Sequence, residues 1–242
     1  MKESYDIQES FPLVKNRPYT VYNCAMSLDG KTTSVGNDSA FSSDSDWKRV
    51  HALRNSVDGI CVGIGTVLSD DPKLRVKLIE DKKNPHRIII DSNLRIPINA
   101  ELLHIEREEV NVFIGTTLHS INTKVDKVRK LKLLRADIIA CGDRNLVDVK
   151  EMWYQLKQKG INAVLLEGGG TLAAGMFNAG IIDELRVFIA PVLLGGKIPP
   201  SVVIIMGEGY EKVIDGVNLS LVNVKKMDGG IYARFLVEKE KA

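Results

Sequence analysis

The 242-residue sequence is poor in cysteine, in aromatic residues and in net charge: it holds three cysteines, 6% aromatics, and 33 Lys plus Arg against 31 Asp plus Glu, a net charge of +2. Cys24, Cys61 and Cys141 stand far apart in or beside apolar runs, with no CxxC pair. They read as buried thiols of a reducing compartment, not as disulfides or metal ligands. The four histidines, His51, His86, His104 and His119, form no HxxxH or HExxH pattern, so no metal site is expected. So even a charge balance does not advertise nucleic-acid or membrane binding, and any anion must be met locally. No apolar run approaches the ~20 residues of a membrane span, and the opening MKESYDIQESF has no apolar signal segment. A cytoplasmic protein is expected. Walker A fails, because Gly195-Gly196-Lys197 lacks the leading glycine spacing and the Ser/Thr, and it reads as a loop with a surface lysine. No Gly-x-Ser-x-Gly elbow offers a serine nucleophile.

What is there is a regular alternation. Short β-branched runs recur at 19–26, 59–65, 87–91 (RIIID), 110–115, 137–142, 162–170 and 185–194. Between them, 46–56, 148–160 and 170–180 carry apolar residues at i, i+3, i+4 and i+7, and the last two end at glycine as helices tend to. Strand, helix, strand order implies right-handed crossovers and a largely parallel sheet with helices on both faces. The end of the chain departs from this. Residues 219–227 and 231–239 flank Asp228-Gly229-Gly230 and predict an antiparallel hairpin on a sheet edge, hence a mixed sheet. Residues 116–124 predict a loop too short to separate domains. The expected organisation is an N-terminal arm, 1–18, followed by one domain, 19–242.

In an open α/β sheet, ligands sit at the carboxyl ends of strands, where loops and helix N-termini offer N–H groups to phosphates. Three segments have that form. Glu167-Gly168-Gly169-Gly170-Thr171 follows AVLL and precedes an amphipathic helix, so its glycines let the backbone approach a pyrophosphate; a plain strand-to-helix turn is the alternative. Gly63-Ile64-Gly65-Thr66-Val67-Leu68 is a near miss to GxGxxG. Its next strand ends in Asp91, as a Rossmann unit requires, but the helix between is barely two turns, so Thr66 and Asp70 read as pocket-lining residues. Met26-Ser27-Leu28-Asp29-Gly30-Lys31 packs Ser, Asp, Gly and Lys into a turn after the first strand. Composition and spacing reach a phosphate or dinucleotide site and no further.

Arg17-Pro18-Tyr19, Ser27-Leu28-Asp29-Gly30-Lys31, the stretch from Val62 to Pro72, Ile90-Asp91-Ser92, Glu167 to Leu172, and Ile189-Ala190-Pro191, taken in order, resemble the reductase family of riboflavin biosynthesis over about residues 17–238. The resemblance implies an α/β, dihydrofolate-reductase-like three-layer sandwich with a mostly parallel mixed sheet, helices on both faces and the C-terminal antiparallel hairpin. It implies NADPH as cofactor, a homodimer, and reduction of the ribosylamino group of a pyrimidine 5′-phosphate to a ribitylamino group. With no deaminase motif in the chain, the likeness is to the free-standing 2,5-diamino-6-ribosylamino-4(3H)-pyrimidinone 5′-phosphate reductases. The alternatives are the deaminated uracil as substrate, a pterin or dihydrofolate reductase, and a non-catalytic nucleotide-binding module.

Carried over by position, the resemblance implies NADPH contacts at Ala25, Phe41, Thr66, Asp70, Ser92, Val147 and the loop Gly168, Gly169, Gly170 and Thr171. Arg95, in Ser92-Asn93-Leu94-Arg95, is the expected cation for the 2′-phosphate. The substrate set is Ser27, Lys31, Ser39, Arg54, Leu74, Glu167 and Asn23, the last where many bacterial members hold a lysine. Ser39 read blandly is a turn cap, Arg54 a solvated helix residue and Leu74 core. Lys31 and Arg54 are the expected cations for the substrate phosphate. Hydride must reach ribose C1′ of a ring-opened imine whose nitrogen needs a proton, a task for a carboxylic acid with raised pKa. Glu167 and Asp29 are the candidates, with Glu167 favoured for orienting the pyrimidine amino groups.

Overall fold

The computed structural model describes residues 10–80, 82–104, 110–143, 145–196, 204–207 and 209–239. Residues 1–9 of the expected arm and the expected surface lysine, Lys197, lie outside the described residues. The elements run β1 (Tyr19–Ser27), α1 (Asp44–Ser56), β2 (Gly59–Gly63), α2 (Ile64–Asp70), β3 (His86–Ile90), β4 (Val112–Thr116), α3 (Leu118–Thr123), α4 (Val125–Leu133), β5 (Ala136–Ala140), α5 (Val149–Gln158), β6 (Ala163–Leu166), α6 (Gly170–Asn178), β7 (Glu184–Ala190), β8 (Leu219–Met227) and β9 (Gly230–Val237). Each expected strand is found within a few residues of its run. The expected loop at 116–124 instead holds α3, capped by Thr117, whose hydroxyl accepts from Ser120 N at 3.2 Å.

The chain sorts into two compact units, residues 1–19 with 51–165, and residues 20–50 with 166–242. In the first, the strand order is β5-β4-β3-β2-β6, and β5 with β4, β4 with β3, and β3 with β2 pair in parallel. Strands buried on both faces read as continuous apolar runs, and β3 shows this: Ile88 and Ile89 have no exposure. Helix α5 buries Met152, Trp153 and Leu156 completely, contributing about 2 kcal/mol or more per side chain. Its start is fixed by Asp148, whose carboxylate accepts from Lys150 N and Glu151 N at 2.9 and 3.1 Å.

In the second unit the order is β1-β7-β9-β8, with β1 and β7 parallel and the other pairs antiparallel. The hairpin turn is Asp228-Gly229, with φ of 45° and 81°, the pair of left-handed residues that a two-residue hairpin requires. Gly230 lies beyond the turn and opens β9 under close contact, since a Cβ there would stand 2.6 Å from Ile189 O. Tyr22 packs edge-on against Phe177, centroids 6.1 Å apart, over this core.

Candidate active site

The Ser27–Lys31 turn continues β1. Gly30 N donates to Ser27 O at 3.0 Å, Ser27 N donates to Lys31 O at 2.8 Å, and Ser27 Oγ accepts from Lys31 N at 3.0 Å. Gly30, at φ 79°, supplies the left-handed residue that closes the turn. Asp29 braces it from outside. Its carboxylate accepts from Ser27 Oγ at 2.6 Å, from Leu194 N at 3.1 Å and from Gly195 N at 2.8 Å. The Ser27 hydroxyl first and then the Leu194 amide hold the Asp29 carboxyl down at about 2. Hydrogen bonds to the charged form do this, a direction opposite to the raised pKa asked of an imine proton donor. Lys31 is only 7% exposed, and no ion pair engages its ammonium among the described residues.

Asn23, half-way along β1, is 9% exposed, and its Oδ1 accepts from Arg49 Nη2 at 2.9 Å. Arg49 in turn pairs with Asp46 at 2.7 Å and lies 4.5 Å over the Tyr232 ring. Neither Asp46 nor Arg49 was expected from the sequence. Their i, i+3 spacing on α1 was the available signal, but such pairs are commoner on solvated faces, whereas both of these side chains are 1% exposed. The carbonyl end of Asn23 is thus already committed within the protein. Ala25 follows on β1, in register with Phe188. Ser39 is exposed, and Phe41 N donates to its carbonyl at 2.8 Å. The side chain that caps that turn is Asp38, whose Oδ1 accepts from Ala40 N at 2.9 Å.

Glu167, half-buried, leads from β6 into the glycine loop. Gly169 is the residue before α6, with φ −67°, and a Cβ placed on it would meet no atom within 4 Å. Neither backbone conformation nor packing requires glycine there, so the open space above it suits a group that comes close to the backbone. Gly170 O accepts from Met206 N at 3.1 Å, and the Thr171 hydroxyl reaches Met206 Sδ at 3.8 Å.

On the other unit, Ser92 and Val147, 55 residues apart, meet directly: Val147 N donates to Ser92 Oγ at 3.0 Å. The Ser92 carbonyl accepts from the hydroxyls of Thr116, Thr117 and Ser120 at 3.2, 3.0 and 2.8 Å. Asp91, the acid at the strand end, is turned inward: it has no exposure and its Oδ2 accepts from Ile96 N at 2.8 Å. It caps its own turn and is not offered to a ribose. Arg95 is exposed. Thr66 and Asp70 lie on the seven-residue α2, which ends at Asp71 in the left-handed conformation. Leu74 is 5% exposed with φ 47°, so only its main chain is available to a ligand. Arg54 Nη1 donates to Arg75 O at 3.3 Å. Burial pushes the Cys24 and Cys141 thiols up to about 12, leaving both protonated and unsuited to nucleophilic work. No helix among the described residues is long and apolar enough to cross a membrane.

A family model described as RibD C-terminal domain matches residues 18–233. The 2,5-diamino-6-ribosylamino-4(3H)-pyrimidinone 5′-phosphate reductase of Methanothermobacter thermautotrophicus is 37% identical over 207 residues, covering 85% of this chain and 91% of the relative. The protein of the same name from Archaeoglobus fulgidus is 33% identical over 196 residues, covering 77% and 86%. Among solved structures, Acinetobacter baumannii RibD superposes with a TM-score of 0.76 at 25% identity, over 93% of this chain and 59% of that one. The Saccharomyces cerevisiae riboflavin biosynthesis reductase Rib7 gives a TM-score of 0.70 at 22% identity over 94% and 93%, a likeness of fold. The fold class expected from the sequence, α/β and dihydrofolate-reductase-like, mostly parallel with a C-terminal antiparallel hairpin, is the one found.

Proposed function

The chain belongs to the RibD C-terminal domain family, a reductase family, and from that premise we propose that it reduces 2,5-diamino-6-ribosylamino-4(3H)-pyrimidinone 5′-phosphate to the ribitylamino product with NADPH. The observation that carries the proposal is the identity of 37% to a relative of that name over 91% of the relative's length. Residues 19–242 are read as one reductase domain. NADPH, when bound, supplies a hydride for C1′ of the ring-opened imine; the C=N electron pair moves to nitrogen, which takes a proton.

The residues fit that cofactor. The open space over Gly169 and the start of the nine-residue α6 suit a phosphate group, and Thr66, Asp70, Ser92, Arg95, Val147, Gly168, Gly170 and Thr171, with Ala25 and Phe41, complete the set proposed to hold it. For the substrate, Asn23, Ser27, Lys31, Ser39, Arg54, Leu74 and Glu167 are retained. Asp29 keeps the Ser27–Lys31 turn in shape, and Glu167 is the remaining carboxyl of the two for the amino groups or the imine nitrogen. A homodimer is supported by apolar side chains left exposed on the hairpin, Leu221 at 59%, Val224 at 55% and Ile231 at 43%, which a second copy would cover.

The test is the loss of NADPH absorbance with the diamino compound beside its deaminated uracil counterpart. Faster oxidation with the diamino compound is expected. Preference for the uracil compound overturns the substrate assignment, and no oxidation with either overturns the activity.

A further inference from the structure

Asn23, Ala25 and Ser27 alternate along β1 and so stand on one face of the strand, the face that leads into the Ser27–Lys31 turn. Asp46 and Arg49 reach this face from α1. Arg49 Nε donates to Asp46 Oδ1 at 2.8 Å, and Nη2 lies 2.7 Å from the same oxygen and donates to Asn23 Oδ1 at 2.9 Å. The guanidinium lies 4.5 Å from the centre of the Tyr232 ring. Asp46 N donates to Ser43 Oγ at 3.2 Å, which ties the pair to the start of the helix.

Stability alone does not account for this pair. Both side chains are 1% exposed, and apolar side chains of like volume commonly fill such a place as well or better. Asp46 Oδ2 and Arg49 Nη1 are moreover sealed from solvent with no hydrogen-bond partner among the described residues, an unfavourable arrangement for charged groups. What the pair does is fix one amide. A guanidinium carries five donors and no acceptor, so the Asn23 carboxamide can meet Arg49 only through its oxygen, and its NH2 must point elsewhere. Arg186, the register partner of Asn23 on β7, again offers only donors, and it pairs with Glu184, whose carboxylate also accepts from Arg234. The Asn23 NH2 meets no acceptor among the described residues, and the residue keeps 9% exposure.

We propose that Arg49, held by Asp46, is a positioning residue that turns the Asn23 carboxamide so that its NH2 donates to an acceptor oxygen of the substrate. The proposal rests on the reading above that Asn23 lines the substrate site. It adds two residues that touch no ligand themselves, and it excludes the reverse contact, in which Asn23 would accept from a pyrimidine amino group. Those amino groups are left to Glu167.

The test is calorimetric titration of the full chain with the diamino compound in the presence of NADP+, which allows no turnover, beside thermal unfolding. Asn23→Asp keeps an oxygen toward Arg49, and with it the unfolding midpoint, but sets a second oxygen where the NH2 stood. Affinity should fall about tenfold, the loss of one hydrogen bond. Asp46→Leu combined with Arg49→Met removes both charges at similar volume and leaves Asn23 in place without its anchor. Affinity should fall about fivefold, the freedom regained by one side chain. Adding Asn23→Ala to that pair should weaken binding no more than Asn23→Ala does alone, because the pair acts only through the amide; a merely structural role would make the two losses add. Unchanged affinity in Asn23→Asp, unchanged affinity in the pair variant, or additive losses overturn the proposal. Asn23→Asp leaves the buried pair intact, so it decides alone if the pair variant does not fold. Should NADPH oxidation with the diamino compound persist while the variants bind as the unmodified protein does, the functional reading stands and the proposal falls. Should the affinities fall as stated while neither pyrimidine compound is reduced, the amide contact stands and the functional reading falls. No binding by the unmodified protein overturns both.

Discussion

Two turns of the molecule are built on one plan and put to different use. Ser27–Lys31 follows β1 and Asp91–Ile96 follows β3. In each, the N–H of the fourth residue donates to the carbonyl of the first, Gly30 to Ser27 and Leu94 to Asp91. That fourth residue has positive φ, and the side chain of the first accepts a downstream N–H, from Lys31 in one and Ile96 in the other. The difference is where the carboxylate sits. Asp29 is exposed and reaches outward to the 194–195 main chain; Asp91 is sealed inside its turn. A turn braced from outside can change shape when its brace lets go. One braced from within is fixed by folding, and so can hold Arg95 at a set place. Even the left-handed residue follows suit: glycine in the outer turn, whereas in the inner one complete burial of Leu94 offsets the strain of φ 45°.

The largest effect should therefore come from the inner carboxylate. Asp91→Ala leaves Ile96 N–H, on a residue with no exposure, without its acceptor, a loss of about 1–3 kcal/mol. Urea midpoints at constant m-value measure it. A loss within experimental error would mean that burial of Leu94 and Ile96, and not the carboxylate, sets the turn.

Next in size is Gly30→Ala. A Cβ on Gly30 meets nothing within 4 Å, so the cost is purely that of holding alanine at φ 79°, about 1 kcal/mol. Thermal unfolding should show it as a shift of a few degrees. A much larger loss would mean that the outer turn is as tightly packed as the inner one, and the contrast between them would fail.

The two turns also mark what the sequence makes legible. β-branched runs such as RIIID located the strands because a strand buried on both faces has little else to be made of, and Asp-Gly located the hairpin because both residues must be left-handed. Helix α4 escaped notice because VDKVRKLKL turns only Val128 and Leu131 inward; its remaining side chains look like any solvated stretch. Asp91 and Asp29 were each visible as an acid at the end of a strand, but the sequence does not say which way a carboxylate points. That direction turned one into an internal cap and made the other a brace held in its ionised form. Ser92 and Val147, 55 residues apart, were grouped only through the family resemblance; the hydrogen bond that joins them is a product of tertiary packing.

The smallest effect, and the one that isolates the outer brace, is the pH dependence carried by Asp29. Its carboxyl is held at about 2 in the folded chain against an ordinary 3.8. A folded-state pKa below the unfolded one means that protonation favours unfolding, so the contribution is complete above about pH 4 and fades as pH falls toward 2. Asp29→Asn removes it and leaves one oxygen where there were two, so the amide NH2 faces either the Leu194 or the Gly195 N–H. Measured side by side, the two proteins should differ by a constant amount from pH 5 to 8 and converge below pH 4, with the gap kept small by solvent around an exposed group. The acidic limb of the pH–rate profile between pH 4 and 8 should keep its position in the variant, because Asp29 does not titrate there. A limb that vanishes with Asp29→Asn would make this carboxyl the proton donor after all, and the outer turn would then be part of the chemistry and no longer its frame.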